Sequence, residues 1–178
     1  NKADNSVAKK GYWSNISKNE QKHFLSFCKK NGTLNAVRKF FPNYEDIIFD
    51  PTRSVALKFL DIKSTEIGVD YGCMWGNVLS HCARQSKFMV GIDQTFESLE
   101  FLNHRLKEEK IDNVSLINEN LRNKFPFDNN FDFSIVNGVL EWIPDTSDID
   151  LTTHFKYKGK IINDKKLNPY ELQLKFLK

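Results

Sequence analysis

From about residue 64 the chain changes period: short apolar runs alternate with helical patterns, in the order strand, helix, strand, helix. Strands are predicted near 66–71, 87–93, 114–118 and 131–136. A helix near 76–85 sets Val78, Leu79 and Cys82 on one face, and another near 96–110 carries Phe96, Leu99, Leu102 and Leu106 at intervals of three and four. Strands joined through helices must run parallel with right-handed crossovers, so the expected fold is a doubly wound, mostly parallel α/β sheet.

The first sixty residues keep helical spacing instead. Ser17 and Glu20 have capping-box spacing, Phe24, Leu25, Phe27 and Cys28 follow, and Asn31-Gly32 ends the run. A second helix is predicted through Leu34, Val37, Phe40 and Phe41, stopped by Pro42. Asp50-Pro51 marks a third start, with Val55, Phe59 and Leu60 as its apolar stripe. These helices are expected to pack as a lid or flank. After Pro144 the sequence reads as an irregular polar stretch from Asp145 to Asp164. One helical pattern follows, in Glu171, Leu172, Leu174, Phe176 and Leu177. The expected division is an N-terminal helical segment (1–62), a ligand-binding core (63–144) and an incomplete C-terminal segment (145–178). With no further strand-like run, the sheet is expected to be truncated after its fourth strand. Its edge would then pair with another chain, giving self-association, or lie under the tail.

Composition narrows the class. At 178 residues, 40% hydrophobic and 28% charged, the chain is of ordinary globular type. No apolar run approaches the roughly 20 residues of a membrane-spanning helix, and the polar start lacks a secretory signal. Residues 1–60 hold eleven Lys or Arg against five Asp or Glu, a basic segment within a net charge of +3. Without clustered basic runs or an RNA-binding motif, a solvated basic face is favoured over nucleic-acid binding. Cys28, Cys73 and Cys82 have no CxxC spacing, and His23, His81, His104 and His154 lack metal-ligand spacing, so no metal is expected. A cytoplasmic location fits the unpaired cysteines.

The chemistry concentrates in the segment Glu66-Ile67-Gly68-Val69-Asp70-Tyr71-Gly72-Cys73-Met74-Trp75-Gly76, where a strand ends in a Gly-containing turn that opens a helix. Such a turn lets backbone approach a ligand, with N–H groups at the helix start aimed at it. Asp93 closes the second strand about twenty residues on, where a carboxylate can accept both hydroxyls of a ribose. Each feature alone also reads as a plain turn or a helix cap; together they point to a ribose-bearing cofactor. The Gly-x-Gly-x-x-Gly fingerprint of nicotinamide dinucleotide sites is absent, which argues against an oxidoreductase.

The stretch Asp70-Tyr71-Gly72-Cys73-Met74-Trp75-Gly76 resembles the Asp-x-Gly-x-Gly-x-Gly motif of class I S-adenosylmethionine-dependent methyltransferases, with Met74 in place of the middle glycine. Ile92-Asp93 matches that family's acidic end of strand two. Val114 to Asn120, with Phe125-Pro126-Phe127, is similar to its third strand and Pro-Phe turn, and Phe131 through Pro144 to its fourth-strand motif. The resemblance covers residues 64–144 and implies a Rossmann-like fold with S-adenosyl-L-methionine as cofactor. It places Asp70 and Gly72 near the methionine part of the donor and Asp93 on the ribose, with Met74 and Gly76 also counted among the cofactor-binding residues. Asn120 falls near the adenine with Leu121 beside it, and Asn137 with Gly138 borders donor and acceptor. Asn120 stands where the family has Asp; its amide oxygen accepts the same bond. Asn120 and Asn137 read equally as turn residues. Trp75 and Trp142 are read either as stacking on a ligand or as core, and Glu141 is the candidate catalytic base. Residues 138–144 and 168–177 resemble methyltransferases found alongside glycosyltransferases, which implies a small-molecule acceptor, a sugar or glycan-linked group. The second expectation, motivated by Met74, is a non-catalytic methyltransferase-like module that binds a nucleotide or a partner.

Overall fold

A computed structural model of the chain describes residues 16–121, 130–139, 156–157 and 160–161. The chain divides into two compact units, Asn1–Val136 and Asn137–Lys178. The first begins with three helices, α1 (Lys18–Asn31), α2 (Thr33–Phe40) and α3 (Glu45–Phe49), followed by a 3-10 helix over Pro51–Phe59. It continues as β1 (Ile67–Tyr71), α4 (Asn77–Ala83), β2 (Phe88–Asp93), α5 (Phe96–Glu108), β3 (Val114–Asn118) and β4 (Phe133–Val136). The sheet has the order β3-β2-β1-β4, and every pairing in it is parallel. This is the Rossmann-like arrangement. Strand order reverses between β1 and β4, the point at which open α/β sheets bind ligands beyond their strand ends.

The four strands and both inter-strand helices lie within a few residues of their predicted bounds, because each carries an unambiguous period. Side chains alternate across the sheet. Met89, Ile135 and partly buried Leu116 and Phe133 pack under Val78, Leu79 and Cys82 of α4 and Leu99, Leu102 and Leu106 of α5. Val69, Val90 and Ile92 form a cluster of their own on the opposite face. Phe96, expected in the stripe of α5, is 57% exposed. It is the first residue of its helix, three positions beyond the end of β2, where the sheet no longer lies beneath it.

The N-terminal helices pack on α5 and the turn after β1. Ser17 caps α1 reciprocally: the Glu20 amide donates to its hydroxyl at 3.2 Å and its own amide donates to the Glu20 carboxylate at 2.8 Å. Phe24 stacks on both Trp75 and Phe101, with centroids 5.9 and 5.5 Å apart, amid Leu25, Cys28, Ala36, Val37 and Ile48. At the start of α2, Glu108 of α5 accepts the Thr33 amide at 3.0 Å. The stripe expected after Pro51 is not the buried one. Val55, Phe59 and Leu60 are exposed, whereas Ser54 and Leu57 are buried. The segment winds as a 3-10 helix, whose three-residue turn aligns positions i and i+3 rather than i and i+4.

In the second unit, β5 (Lys156–Tyr157) and β6 (Lys160–Ile161) pair antiparallel, within the stretch expected to be irregular. Strands of two residues carry no period. The signal available was the two-residue Lys158-Gly159 connection. The helical pattern at 171–177 lies outside the described residues.

Candidate functional site

The turn between β1 and α4 is held mainly by its backbone amides, three of which reach the end of β2. Gly72, Met74 and Gly76 have φ of 73°, 45° and 78°. The amides of Gly72 and Cys73 both donate to the Ile92 carbonyl, at 2.7 and 3.1 Å, and the Gly76 amide donates to the Cys73 carbonyl at 2.8 Å. The Met74 amide donates to Asp93 Oδ2 at 2.9 Å, and Asp93 Oδ1 accepts the Thr95 amide at 2.8 Å. Asp93 therefore ties the end of β2 to the turn after β1. Four amides of this turn are thus spent inside the protein; all of them precede Asn77, the first residue of the helix to which the helix-start reading refers.

Met74 occupies the left-handed region, which costs an L-residue about 1 kcal/mol. Its amide bond to Asp93 offsets this, and its side chain packs against the Phe24–Trp75–Phe101 cluster. Gly76 admits no such solution: a Cβ there would stand 2.1 Å from Leu102 Cδ1.

Two carboxylates meet at this end of the sheet. Asp70 is 3% exposed and Asp93 9%. Burial, then the neighbouring Asp93, pushes the Asp70 carboxyl up to about 8. Burial also raises Asp93, against the amides of Thr95 and Met74, which act to lower it. Neither carboxylate has an ion-pair partner among the described residues. The same burial and the same two carboxylates hold the Cys73 thiol well above the ordinary range.

The loop after β3 closes on the same strand end. The Asn118 side chain and the Glu119 amide both donate to the Asp93 carbonyl, at 3.0 and 3.1 Å, and the Asn120 amide donates to Glu119 Oε1 at 2.8 Å. Asp70, Gly72, Met74, Gly76, Asp93 and Asn120 thus belong to segments at the carboxyl end of β1, β2 and β3. Leu121 packs against Val69, Val90 and Ile92. Asn137 and Gly138 follow β4 directly and are exposed, and they fall in the second unit. Glu141 and Trp142 lie outside the described residues. Trp75 is 3% exposed within the aromatic stack, so its reading as a ligand-stacking ring is replaced by core packing. Sequence reasoning passed over Asn77, Arg105 and Asn118, whose side chains bind backbone carbonyls around this end of the sheet. For Arg105 a signal existed: a charged residue on the buried stripe of α5, beside Leu102 and Leu106.

Residues 69–155 match the family model described as a methyltransferase domain. The match spans 87 of the 178 residues, and over them the chain is similar to that family. Similar solved structures include the YcgJ protein of Bacillus subtilis, at 21% identity and TM-score 0.43 over 46% of this chain and 35% of that one. An rRNA methylase from Streptococcus thermophilus is 28% identical, with TM-score 0.33, over 34% of this chain and 37% of that one. A SAM-dependent methyltransferase from Aquifex aeolicus is 22% identical, with TM-score 0.43, over 57% of this chain and 54% of that one. The chain spans about a third to a half of the length of these structures. No curated protein matches it.

The family resemblance read from the sequence implies S-adenosylmethionine as the cofactor, and the residues present fit it. The donor carries a sulfonium and an ammonium but no phosphate. A pyrophosphate needs unspent amides and no nearby negative charge; here four turn amides are committed and two buried carboxylates sit beside them. That balance suits a cationic, phosphate-free ligand. No helix among the described residues is long and apolar enough to cross a membrane.

Proposed function

We propose that this chain is the donor-binding part of an S-adenosylmethionine-dependent methyltransferase. The observation that carries the reading is the pairing of a turn whose amides are internally spent with the buried carboxylates Asp70 and Asp93. Asp93 accepts the Met74 and Thr95 amides and the Thr95 side chain, which leaves its carboxylate acceptor capacity for a ribose hydroxyl while it still fixes the turn. Asp70, whose carboxyl burial keeps protonated near neutral pH, can ionise against the donor's cationic methionine end, with Gly72, Met74 and Gly76 shaping the backbone around it. Asn120 is assigned to the adenine, with Leu121 beneath it, and Asn137 to the boundary with the acceptor.

When bound, the donor supplies an electrophilic methyl group on sulfur. The chain's own task is to orient the nucleophile and keep water away, with Glu141 assigned to take the acceptor's proton. By resemblance the acceptor is a small molecule, a sugar or glycan-linked group, and the protein is placed in the cytoplasm. Cys28, Cys73 and Cys82 are free and buried, as suits a reducing compartment. Met74 no longer favours a non-catalytic module, since its positive φ is accommodated by the Asp93 bond and the aromatic cluster.

Methyl transfer from a labelled donor to saccharide, RNA and peptide acceptors tests the reading. Transfer to saccharides alone supports the acceptor assignment, whereas transfer to RNA or peptide overturns it and leaves the donor reading standing. No transfer together with no donor binding overturns both.

A further inference from the structure

The carboxyl end of α3 is gripped by side chains from the two elements that frame the cofactor turn. Asn77, directly after Gly76, donates through Nδ2 to the Ile47 carbonyl at 2.8 Å and the Asp50 carbonyl at 3.1 Å. Arg105 of α5 donates through Nη1 to the Ile48 carbonyl at 2.9 Å and, from the same nitrogen, to the Trp75 carbonyl at 2.9 Å. The last carbonyls of a helix have no partner within it, and here side chains take three of them or their neighbours. The Trp75 carbonyl lies between Met74 and Gly76, two of the three left-handed residues of the turn.

Arg105 is itself held. Its Nε donates to Glu109 Oε1 at 2.6 Å, Arg84 donates to the other oxygen of Glu109 at 2.7 Å, and the Phe49 ring lies 4.7 Å from the guanidinium carbon. Arg105 is 5% exposed, among the buried residues Ser98, Leu99, Phe101, Leu102 and Leu106 of its helix. An apolar residue would serve there for packing, and burying a cation is costly. What an apolar residue cannot do is bridge the Ile48 and Trp75 carbonyls with a rigid, planar donor. A lysine offers a single flexible point charge instead.

We infer that Arg105, seconded by Asn77, is a positioning residue that couples the N-terminal helices to the cofactor turn and thereby sets affinity for the donor. This rests on the donor assignment above. Releasing the Trp75 carbonyl frees the 75–76 peptide to rotate. The Met74 amide then loses its fixed approach to Asp93, and the ligand-facing side of that carboxylate is no longer held in place.

The test compares wild type with Arg105→Gln, Arg105→Lys and Asn77→Ala. The control is Leu25→Ala, which removes a buried side chain from the cluster that covers Trp75 but none of the hydrogen bonds to the turn. Calorimetry with S-adenosylhomocysteine is run where urea titration shows each variant folded, together with amide exchange of segments 45–50 and 72–78. Arg105→Gln is expected to lose about 10- to 50-fold in affinity and Arg105→Lys less, with exchange accelerated in both segments. Leu25→Ala should lose stability and keep its affinity. Should Arg105→Gln fail to fold, Asn77→Ala carries the same expectation at a smaller loss. Folded variants that bind within twofold of wild type overturn the inference, as does an equal loss of affinity in Leu25→Ala. If wild type binds no donor product, the donor reading falls, and exchange alone decides the coupling. Acceleration in both segments sustains it; acceleration confined to 45–50 overturns it.

Discussion

Asp93 sits where the structural and ligand-binding arguments meet, so its replacement separates them. In Asp93→Asn one oxygen becomes an amino group. Whichever way the amide is turned, either the Met74 amide at 2.9 Å or the Thr95 amide at 2.8 Å then faces a donor. Losing one such buried bond costs about 1–3 kcal/mol. Burial raises the Asp93 carboxyl, so removing its charge recovers part of that cost and the net loss should fall near 1–2 kcal/mol. Asp93→Ala loses both bonds and should cost about 2–5 kcal/mol. For the donor, the loss of hydrogen bonds from the ribose to a charged group is worth roughly 1.5–3 kcal/mol, or about 10- to 150-fold in Kd. Urea titration measures the first effect, and calorimetry with S-adenosylhomocysteine on the folded variants measures the second. A folded Asp93→Ala that binds within twofold of wild type would refute the assignment. Unchanged urea midpoints would refute the structural half.

Gly76→Ala places an L-residue at φ 78° for about 1–2 kcal/mol and drives a Cβ onto Leu102 for about 1–3 more; a loss under 1 kcal/mol in urea would contradict this. Met74→Gly relieves about 1 kcal/mol of backbone strain and forfeits about as much in packing and chain entropy. Stability should therefore stay within about 1 kcal/mol and donor affinity within about threefold; a tenfold gain in affinity would show that the side chain obstructs the donor. For Asp70, raised to about 8 in the folded state, the native protein keeps a proton that the unfolded chain gives up at ordinary carboxyl pKa. Wild-type stability should therefore fall as pH rises from about 4 to 8. Asp70→Asn should lose that slope, and urea midpoints that run parallel for the two proteins across pH 5, 7 and 8.5 would contradict the burial argument.

The sheet was legible because each strand is a short apolar run bounded by turn residues and each crossover helix keeps a 3.6-residue stripe, as in Leu99, Leu102 and Leu106. Ser17 and Glu20 announced the start of α1 for the same reason: the capping chemistry is local. The errors came where the period was assumed. Val55, Phe59 and Leu60 form a stripe only on an α-helix, and the 3-10 winding turns Ser54 and Leu57 inward instead. The candidate site was legible as a position, through the Gly-rich turn and Asp93. Its internal wiring was not, because the Asp93 bond to the Met74 amide and the Arg105 bond to the Trp75 carbonyl join residues 19 and 30 positions apart. No spacing rule reports such contacts. Trp75 shows the limit from the other side: a tryptophan in a turn sequence reads as a ligand-stacking ring or as core until the helices that cover it are placed.

Calorimetric titration of the folded chain with S-adenosylmethionine, S-adenosylhomocysteine and a nicotinamide dinucleotide tests the central claim most directly. The account predicts that both sulfur-bearing ligands bind one site competitively, and that the dinucleotide does not bind, since four amides of the turn are spent and the Asp93 carboxylate disfavours a pyrophosphate. Binding of the dinucleotide in preference to either, or no binding of the donor by a chain that melts cooperatively, would contradict it.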